Sequence, residues 1–401
     1  MFPNQKIELD GHPVFRRTVL VWSLYFLLGL FSFSMCILGP AIPFLRQEFR
    51  MGYTLASLHM TLYAIGMVLA GISAAPIHRR IGTIGGIWTG MGGILTGATL
   101  LVLAPGVWMS LPAILVMSFF GTLALAGIPT TLAALFPQAR TKAIMESNVV
   151  ASVGSAVPPF LIALGAFTPL GWRIVTPAFA LGLAAVACFG WTATRRHGRS
   201  ETAQTPDAPG RLPWAYWVCW LIIIFGIGVE WCVAFWSAEY LKGLPGGSLS
   251  LAAAGAGVYQ LAAVGCRFTS SRLATRMSAP QILLGGIFLV SAGFPLFWLR
   301  AGVASAFLGV ALCGAGASLF YPTNIALAMV ASNHRIRQAN AYVPVASGIA
   351  LALAPLTLGR ISDQVGLGSA LLMIPVFLAA MGLLLVVRKA GSAQTKHLST
   401  R

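Results

Sequence analysis

The chain has 401 residues, 57% of them hydrophobic and only 9% charged, where an ordinary soluble domain carries about a quarter charged. Water cannot solvate the surface of a folded globule with so few charges, so lipid is the solvent this composition fits. The 26 Lys and Arg against 9 Asp and Glu read as topology signals in loops. A nucleic-acid surface is set aside, because no basic stripe is interleaved with stacking aromatics on a polar segment.

Twelve apolar runs follow in chain order. The first six lie at 18–45, 54–78, 83–104, 108–136, 144–166 and 172–194. Each reaches the roughly 20 residues that a hydrocarbon core requires. The runs are continuous rather than alternating, which spells helices and not barrel strands. The first run is too long for a signal-peptide core and has no clear small-residue cleavage site, so it is expected to remain as a span. Arg195 to Pro213 is a long hydrophilic stretch rich in Arg, Ser, Thr, Pro and Gly. It is expected to be a flexible cytoplasmic linker between a first half, 1–194, and a second half, 214–401. Six more runs fill that half, at 214–241, 249–270, 280–299, 302–331, 340–362 and 367–387.

With both termini placed in the cytoplasm, the inside segments hold nineteen Lys and Arg. The outside segments hold six, namely Arg46, Arg50, Arg173, Lys242, Arg300 and Arg360, and Arg267 sits within a span. This bias recurs in every inside loop and predicts an integral protein of a bacterial inner membrane with both termini cytoplasmic. The six cysteines (Cys36, Cys188, Cys219, Cys232, Cys266, Cys313) all fall inside apolar runs without CxxC spacing. They read as small core residues, so no disulfide, metal site or cofactor is expected.

The two halves echo each other. Leu45 and Leu241, Tyr63 and Tyr259, Arg80 and Arg276, Gly90 and Gly286, and Pro159 and Pro355 each stand 196 positions apart. Near the fourth and tenth runs the shift slips to 193, where Ile128-Pro129-Thr130 matches Tyr321-Pro322-Thr323. Two parallel six-helix halves predict a substrate site between them, near the bilayer midplane.

At this point the chain resembles the major facilitator superfamily over essentially its whole length. Arg79-Arg80-Ile81-Gly82 is similar to that family's Gly-x-x-x-Asp-Arg-x-Gly-Arg-Arg loop, although Arg79 stands at the Asp, Ala75 at the first Gly and Thr83-Ile84 at the trailing basic pair. Gly171-Trp172-Arg173, Gly265-Cys266-Arg267 and the segment from Gly359 to Gly366 are also similar to family patterns. The resemblance implies an all-α membrane fold, with twelve helices in two pseudo-symmetric six-helix bundles. It also implies secondary active transport of a small molecule by alternating access, and the chain is expected to act as a monomer. The patterns of drug–proton antiporters are not met: Met117 to Gly121 carries no Arg, and Gly154 to Pro159 lacks their Gly-Pro-x-x-Gly-Gly arrangement.

Glu230 is the most informative residue. It lies eleven positions from the end of the seventh run, or roughly 16 Å of helix rise, at about half the hydrocarbon depth. A carboxylate there costs several kcal/mol unless it faces water or a partner. Two readings follow: a proton-coupling group or counter-charge for a cationic substrate, and a protonated structural hydrogen-bond post. Arg267 reads as a gate or a clamp on loop carbonyls, or else as an anion ligand or Glu230 partner. Counting helix rise separates the pair by roughly 9 Å in depth, so direct contact requires both side chains to stretch.

Further candidates are weaker. Glu146 is read as a first-turn carboxylate complementing its helix dipole, or as a gating partner of Arg140 or the basic loop residues. Arg79, Arg80 and Arg272 join Arg140, Glu146 and Arg267 as the expected gating set. Asp363 and Arg360 are read as a surface pair, and His59 as a packing residue rather than a proton relay. Ser34, Tyr63, Asn148, Tyr259, Gln260, Asn324 and Tyr342 sit on runs that line the central cavity in the resembled family. With Trp231 and Glu230 they make the expected cavity wall, and Trp231 and Trp236, which flank Glu230 on the seventh run, are each read either as a substrate-stacking residue or as a lipid or core contact. Gly39-Pro40 with Pro43, Pro129, Pro158-Pro159, Pro322, Pro344 and Pro355 are expected to kink their helices.

A phosphate-binding GxxxxGK[ST] loop is absent from the sequence, which excludes an ATP-driven pump of that kind. An intramembrane enzyme would need a clustered nucleophile, HExxH or a carboxylate pair, and the sequence scatters those residues. The expected function is therefore a proton-coupled carrier of a neutral or amphipathic organic solute, with proton-driven efflux of a drug or metabolite as the alternative.

Overall fold

In hydrocarbon, backbone N–H and C=O groups must be satisfied by the protein itself, and the described residues meet that demand with helices. The protein is described here by a computed structural model covering residues 16–195, 211–273, 276–333 and 335–399; side chains are described for these except 195, 270–273, 337 and 390–399. Most of the expected linker, and the Arg272 side chain, lie outside the described residues.

Among the described residues, twelve helices are long and apolar enough to cross a membrane. They are α1 (Val19–Phe49), α2 (Tyr53–Ile81), α3 (Thr83–Val102), α4 (Val107–Leu135), α5 (Arg140–Gly165), α6 (Gly171–Thr194), α7 (Trp214–Leu241), α8 (Leu249–Thr269), α9 (Ala279–Leu299), α10 (Val303–Ala331), α11 (Gln338–Val365) and α12 (Leu367–Lys389). Their bounds lie within four residues of the apolar runs. Single glycines join α2 to α3 and α11 to α12: Gly82 at φ 79° and Gly366 at φ 83°, a left-handed backbone that glycine adopts without a Cβ clash.

Two helices are interrupted, each four residues before a proline. A proline ring clashes with the carbonyl at i−4 and cannot donate to it. Pro40 thus breaks α1 at Cys36–Ile37, between Val19–Met35 and Leu38–Phe49. Pro322 breaks α10 at Ser318–Leu319, between Val303–Ala317 and Phe320–Ala331. Pro43, Pro129, Pro158, Pro159, Pro344 and Pro355 lie inside uninterrupted helical segments instead.

Helices α1–α6 form one bundle and α7–α12 another, and the sequence echo is built into their packing. A Cβ on Gly90 of α3 would stand 2.6 Å from the Phe120 carbonyl of α4; a Cβ on Gly286 of α9 would stand 2.9 Å from the Gly316 carbonyl of α10. One seam further, Gly97 faces Ala113 and Met117 as Gly293 faces Gly309 and Cys313. Every member of these sets is displaced by the same 196 residues. The small residues let backbones approach where lipid supplies no hydrophobic drive for association.

Between bundles, α2 packs along α11 and α5 along α8, two contacts exchanged by the same pseudo-symmetry. The segment Leu38–Phe49 of α1 packs on α7. We call the end that carries the α2–α3, α4–α5, α8–α9 and α10–α11 connections the basic end, after the arginines there.

Candidate functional site

Charges inside a bilayer persist only when paired or wet, so the carboxylates locate the polar machinery. The five described ones all have partners. Glu48 pairs with Arg173, Glu146 with Arg17, Glu230 with Arg267 and Glu239 with Arg46. Asp363 accepts from the backbone N–H groups of Tyr53 and Thr54 at 2.7 and 2.8 Å.

The Glu230–Arg267 pair lies in the wall of a cavity of about 320 Å³ between the bundles. Arg267 Nη2 donates to Glu230 Oε1 at 3.1 Å, with the two side chains 38% and 16% exposed. Both belong to the second bundle, on α7 and α8. The Tyr259 hydroxyl donates to the Glu230 carbonyl oxygen at 3.2 Å, tying α8 to α7 beside the pair. From the first bundle, Met35 and Cys36 of α1 and Asn148, Ser152 and Ser155 of α5 face the same space. Gln260 crosses the gap, its Nε2 donating to Cys36 Sγ at 3.3 Å. The proline break in α1 therefore places Cys36 on the cavity wall.

Toward the opposite end the bundles close on each other. Gly39 of α1 packs against Ala234 of α7 so tightly that a Cβ would stand 2.5 Å from the Ala234 carbonyl oxygen. Beyond that layer Arg46 forms an ion pair with Glu239, stacks its guanidinium 3.6 Å over the Tyr53 ring, and donates to the Met51 carbonyl. Tyr53 in turn meets Trp236 at 5.6 Å between ring centroids. Asp363 of α11 caps the N-terminus of α2, where the helix dipole favours an anion. Thr61 donates to the Ala352 carbonyl and Ser250 to the Ala163 carbonyl, linking α2 to α11 and α8 to α5. The cavity lies on the basic-end side of this seal.

Of the expected cavity wall, Asn148, Glu230, Trp231, Tyr259 and Gln260 line it, and so does Arg267. Four residues are placed elsewhere. Ser34 is buried and donates to the Phe31 carbonyl of its own helix. Tyr63 is buried outside the lining. Asn324 donates to the Ile222 carbonyl, bracing α10 on α7 within the second bundle. Tyr342 sits at the basic end against Trp217, 5.2 Å between rings. Trp236 is fully buried in the seal and does not reach the cavity.

The gating expectations change in the same way. Glu146 lies in the second turn of its helix, which begins at Arg140, so it does not cap that helix's start. Its carboxylate takes a two-pronged contact from Arg17, at 2.8 and 2.9 Å, not from Arg140. Arg79, Arg80 and Arg140 are exposed at the basic end. Asp363 caps a helix rather than forming a surface pair with Arg360. His59 is a packing residue, bonded to the Ala56 carbonyl at 3.0 Å and the Ser110 hydroxyl at 2.9 Å. Glu239 carries no expectation in the sequence, and Cys36, read there as a small core residue, lines the cavity instead. The signal for Glu239 was available: it falls nine residues after Glu230 in the same apolar run.

Residues 23–355 match the Major Facilitator Superfamily. The chain belongs to this superfamily. A curated relative, the ascochitine biosynthesis cluster MFS transporter of Didymella fabae, is 26% identical over 190 residues, which cover 46% of this chain. The match spans only 37% of that relative's length. Among solved structures, a D-xylose–proton symporter superposes with a TM-score of 0.72 at 13% identity, covering 91% of this chain and 96% of its own. A bacterial homologue of the human lysosomal transporter Spinster, inward-facing and occupied, gives 0.71 at 15%, covering 93% and 97%. The nucleoside transporter NupG gives 0.72 at 13%, covering 92% and 99%. At these identities the likeness is one of fold. In this member of the superfamily Arg79 replaces the loop Asp after α2, and the described carboxylate that joins α11 to α2 is Asp363, at the opposite end.

Proposed function

We propose that the chain is a secondary active transporter which carries a small organic solute by rocking its two bundles about the central cavity, with Glu230 as the proton-coupling group. One observation carries the reading. A carboxylate at mid-membrane depth is paired with an arginine in the wall of a cavity that both bundles share and that is closed toward one end only by contacts between bundles. Such contacts can be exchanged for a matching set at the other end without unfolding either bundle, which is the geometry of alternating access. Asn148, Trp231, Tyr259, Gln260 and Arg267 are then solute-facing. Arg79, Arg80, Arg140 and Arg272 belong to the state closed at the basic end.

The same reading assigns the halves to 1–194 and 214–401, joined by 195–213, with the basic end in the cytoplasm and the chain working as a monomer. The structure is then an inward-facing one. One of the fold neighbours is a D-xylose–proton symporter, which agrees with proton coupling.

The test uses purified protein in proteoliposomes with a pH-sensitive dye inside. A solute panel is added outside, and solute-driven proton entry is compared for wild type and Glu230→Gln. The variant is expected to exchange solute across the membrane with no accompanying proton flux. Proton entry that persists at the wild-type rate in Glu230→Gln refutes the coupling role.

A further inference from the structure

The Glu230–Arg267 pair is chemically lopsided, and its asymmetry bears on the sign of the solute. A carboxylate becomes neutral by taking up one proton. A guanidinium stays charged at any pH a protein experiences. The pair therefore opens from its acidic side alone. A cation arriving at Glu230 would set a second positive charge beside Arg267 in a partly buried wall. A neutral solute has no need to open the pair. An anion can take Glu230's place on Arg267, provided Glu230 takes up a proton from water as it lets go. The cavity then holds one guanidinium, one carboxylic acid and one anion, and its net charge is zero before and after.

We propose that the cavity binds an organic monoanion, a small carboxylate, which replaces Glu230 on Arg267 as Glu230 is protonated; this rests on the transport reading above and names its solute. The geometry fits the exchange. Arg267 is more than twice as exposed as its partner, 38% against 16%, so its fork is reached from the cavity while the carboxylate sits behind it. A planar five-donor fork suits a carboxylate. The rest of the wall suits a compact organic skeleton: Trp231, Tyr259 and Tyr321 offer aromatic surface, and Asn148, Gln260 and Ser152 offer neutral hydrogen bonds. The 320 Å³ cavity admits a ligand of this kind without large rearrangement.

The groups facing Glu230 narrow the source of any pH dependence. They are Arg267 and Tyr259 on α8, Cys36 on α1 and Tyr321 on α10, with Cys313 on α10 beside Tyr259. The lining contributed by α5 and α11 is uncharged: Asn148, Ala151, Ser152 and Ser155 from α5, Ser347 and Leu351 from α11. Phe377 of α12 packs on Gly228. Thiols ordinarily titrate near 8.5 and phenols near 10. Among these groups Glu230 is the one whose proton can accompany an anion below neutral pH.

The test measures binding in detergent, with no membrane and no gradient, by melting temperature and by calorimetry between pH 6 and pH 8. The full-length protein is given two matched sets: hexanoate, hexanamide, hexylamine and norleucine; and 3-phenylpropionate, 3-phenylpropanamide, 3-phenylpropylamine and phenylalanine. The proposal expects at least one carboxylate to bind about tenfold or more tightly than its amide and amine. Its affinity should rise as the pH falls, approaching tenfold per pH unit for one proton per anion. Glu230→Gln, which imitates the protonated acid, should bind that carboxylate with no pH dependence. Arg267→Gln should lose it, and Glu230→Gln/Arg267→Gln, which removes both charges, checks that loss against a folded protein. Preference for the amine or the amino acid, equal binding of acid and amide, pH-independent binding in wild type, or no carboxylate binding in either set overturns the proposal. Carboxylate binding in detergent without solute-driven proton flux in proteoliposomes would instead remove the coupling reading and leave the ligand class standing.

Discussion

The Arg46–Glu239 contact is the clearest latch between bundles, and Glu239→Gln tests it. The two side chains are 15% and 8% exposed. Removing one charge from a buried pair costs about 3–5 kcal/mol. The amide keeps a hydrogen-bond acceptor for Arg46, and Arg46 keeps the Met51 carbonyl and the Tyr53 ring, so about 2 kcal/mol is the expected loss to the arrangement closed at this end. At 1.36 kcal/mol per factor of ten, the ratio of open to closed molecules should rise about thirtyfold. Spin labels at Phe167→Cys and Pro245→Cys, in a background without native cysteines, sit on exposed loops of the two bundles at that end. Their distance distribution reads the ratio directly. The exchanged pair, Arg46→Glu with Glu239→Arg, should return most of the closed population. A ratio that stays within about a factor of two of wild type in Glu239→Gln would show that the pair does not hold this end shut, whatever its burial.

Three other outcomes follow from the same contacts. Asp363→Asn weakens the two bonds at the start of α2 and should shift the same label distance by about 1 kcal/mol, near fivefold in the open-to-closed ratio. Gly39→Ala puts a methyl 2.5 Å from a backbone oxygen of the other bundle; solute exchange in proteoliposomes should slow at least about tenfold while gel filtration shows a folded protein. Glu146→Gln breaks a pair whose members are 49% and 25% exposed and which stays within one bundle; its melting temperature and label distance should both match wild type, since exposed pairs contribute little.

Span positions were legible in the sequence because the bilayer sets them by length and hydropathy alone. Depth was legible too, since helix rise is constant, and that is how Glu230 could be placed at mid-membrane. Azimuth was not. Whether a residue faces the cavity, its own bundle or lipid depends on helix rotation, and the helices here are apolar all round, so no polar stripe marks a face. That is why the sequence groups Ser34 and Asn324 with Asn148 and Gln260, although only the last two line the cavity. Pairing across helices fails for the same reason. Depth counting set Glu230 and Arg267 roughly 9 Å apart, yet long side chains on neighbouring helices close such a gap. Glu239 stands two residues from the end of the seventh run, where depth alone does not mark a carboxylate as buried. The proline breaks were only half legible: the sequence supplies the clash, while packing decides whether the helix absorbs it, as it does at Pro129 and Pro355, or yields, as at Pro40 and Pro322.

The break in α1 redraws the molecule's moving parts. Its first segment, Val19–Met35, packs on α5 and α6 of the first bundle, whereas Leu38–Phe49 packs chiefly on α7 and α8 of the second. A cut at the sequence midpoint divides the chain into two equal repeats, but the hydrogen-bonded backbone divides it elsewhere, at Cys36 inside the first helix. A tilt of one bundle then has two choices at that joint. It tears Leu38–Phe49 from its neighbours, or it carries the segment along and bends the chain beside Cys36, the residue on which Gln260 already rests. In the second case the solute would be handed over by a half-helix swinging like a gate leaf rather than by two blocks parting evenly.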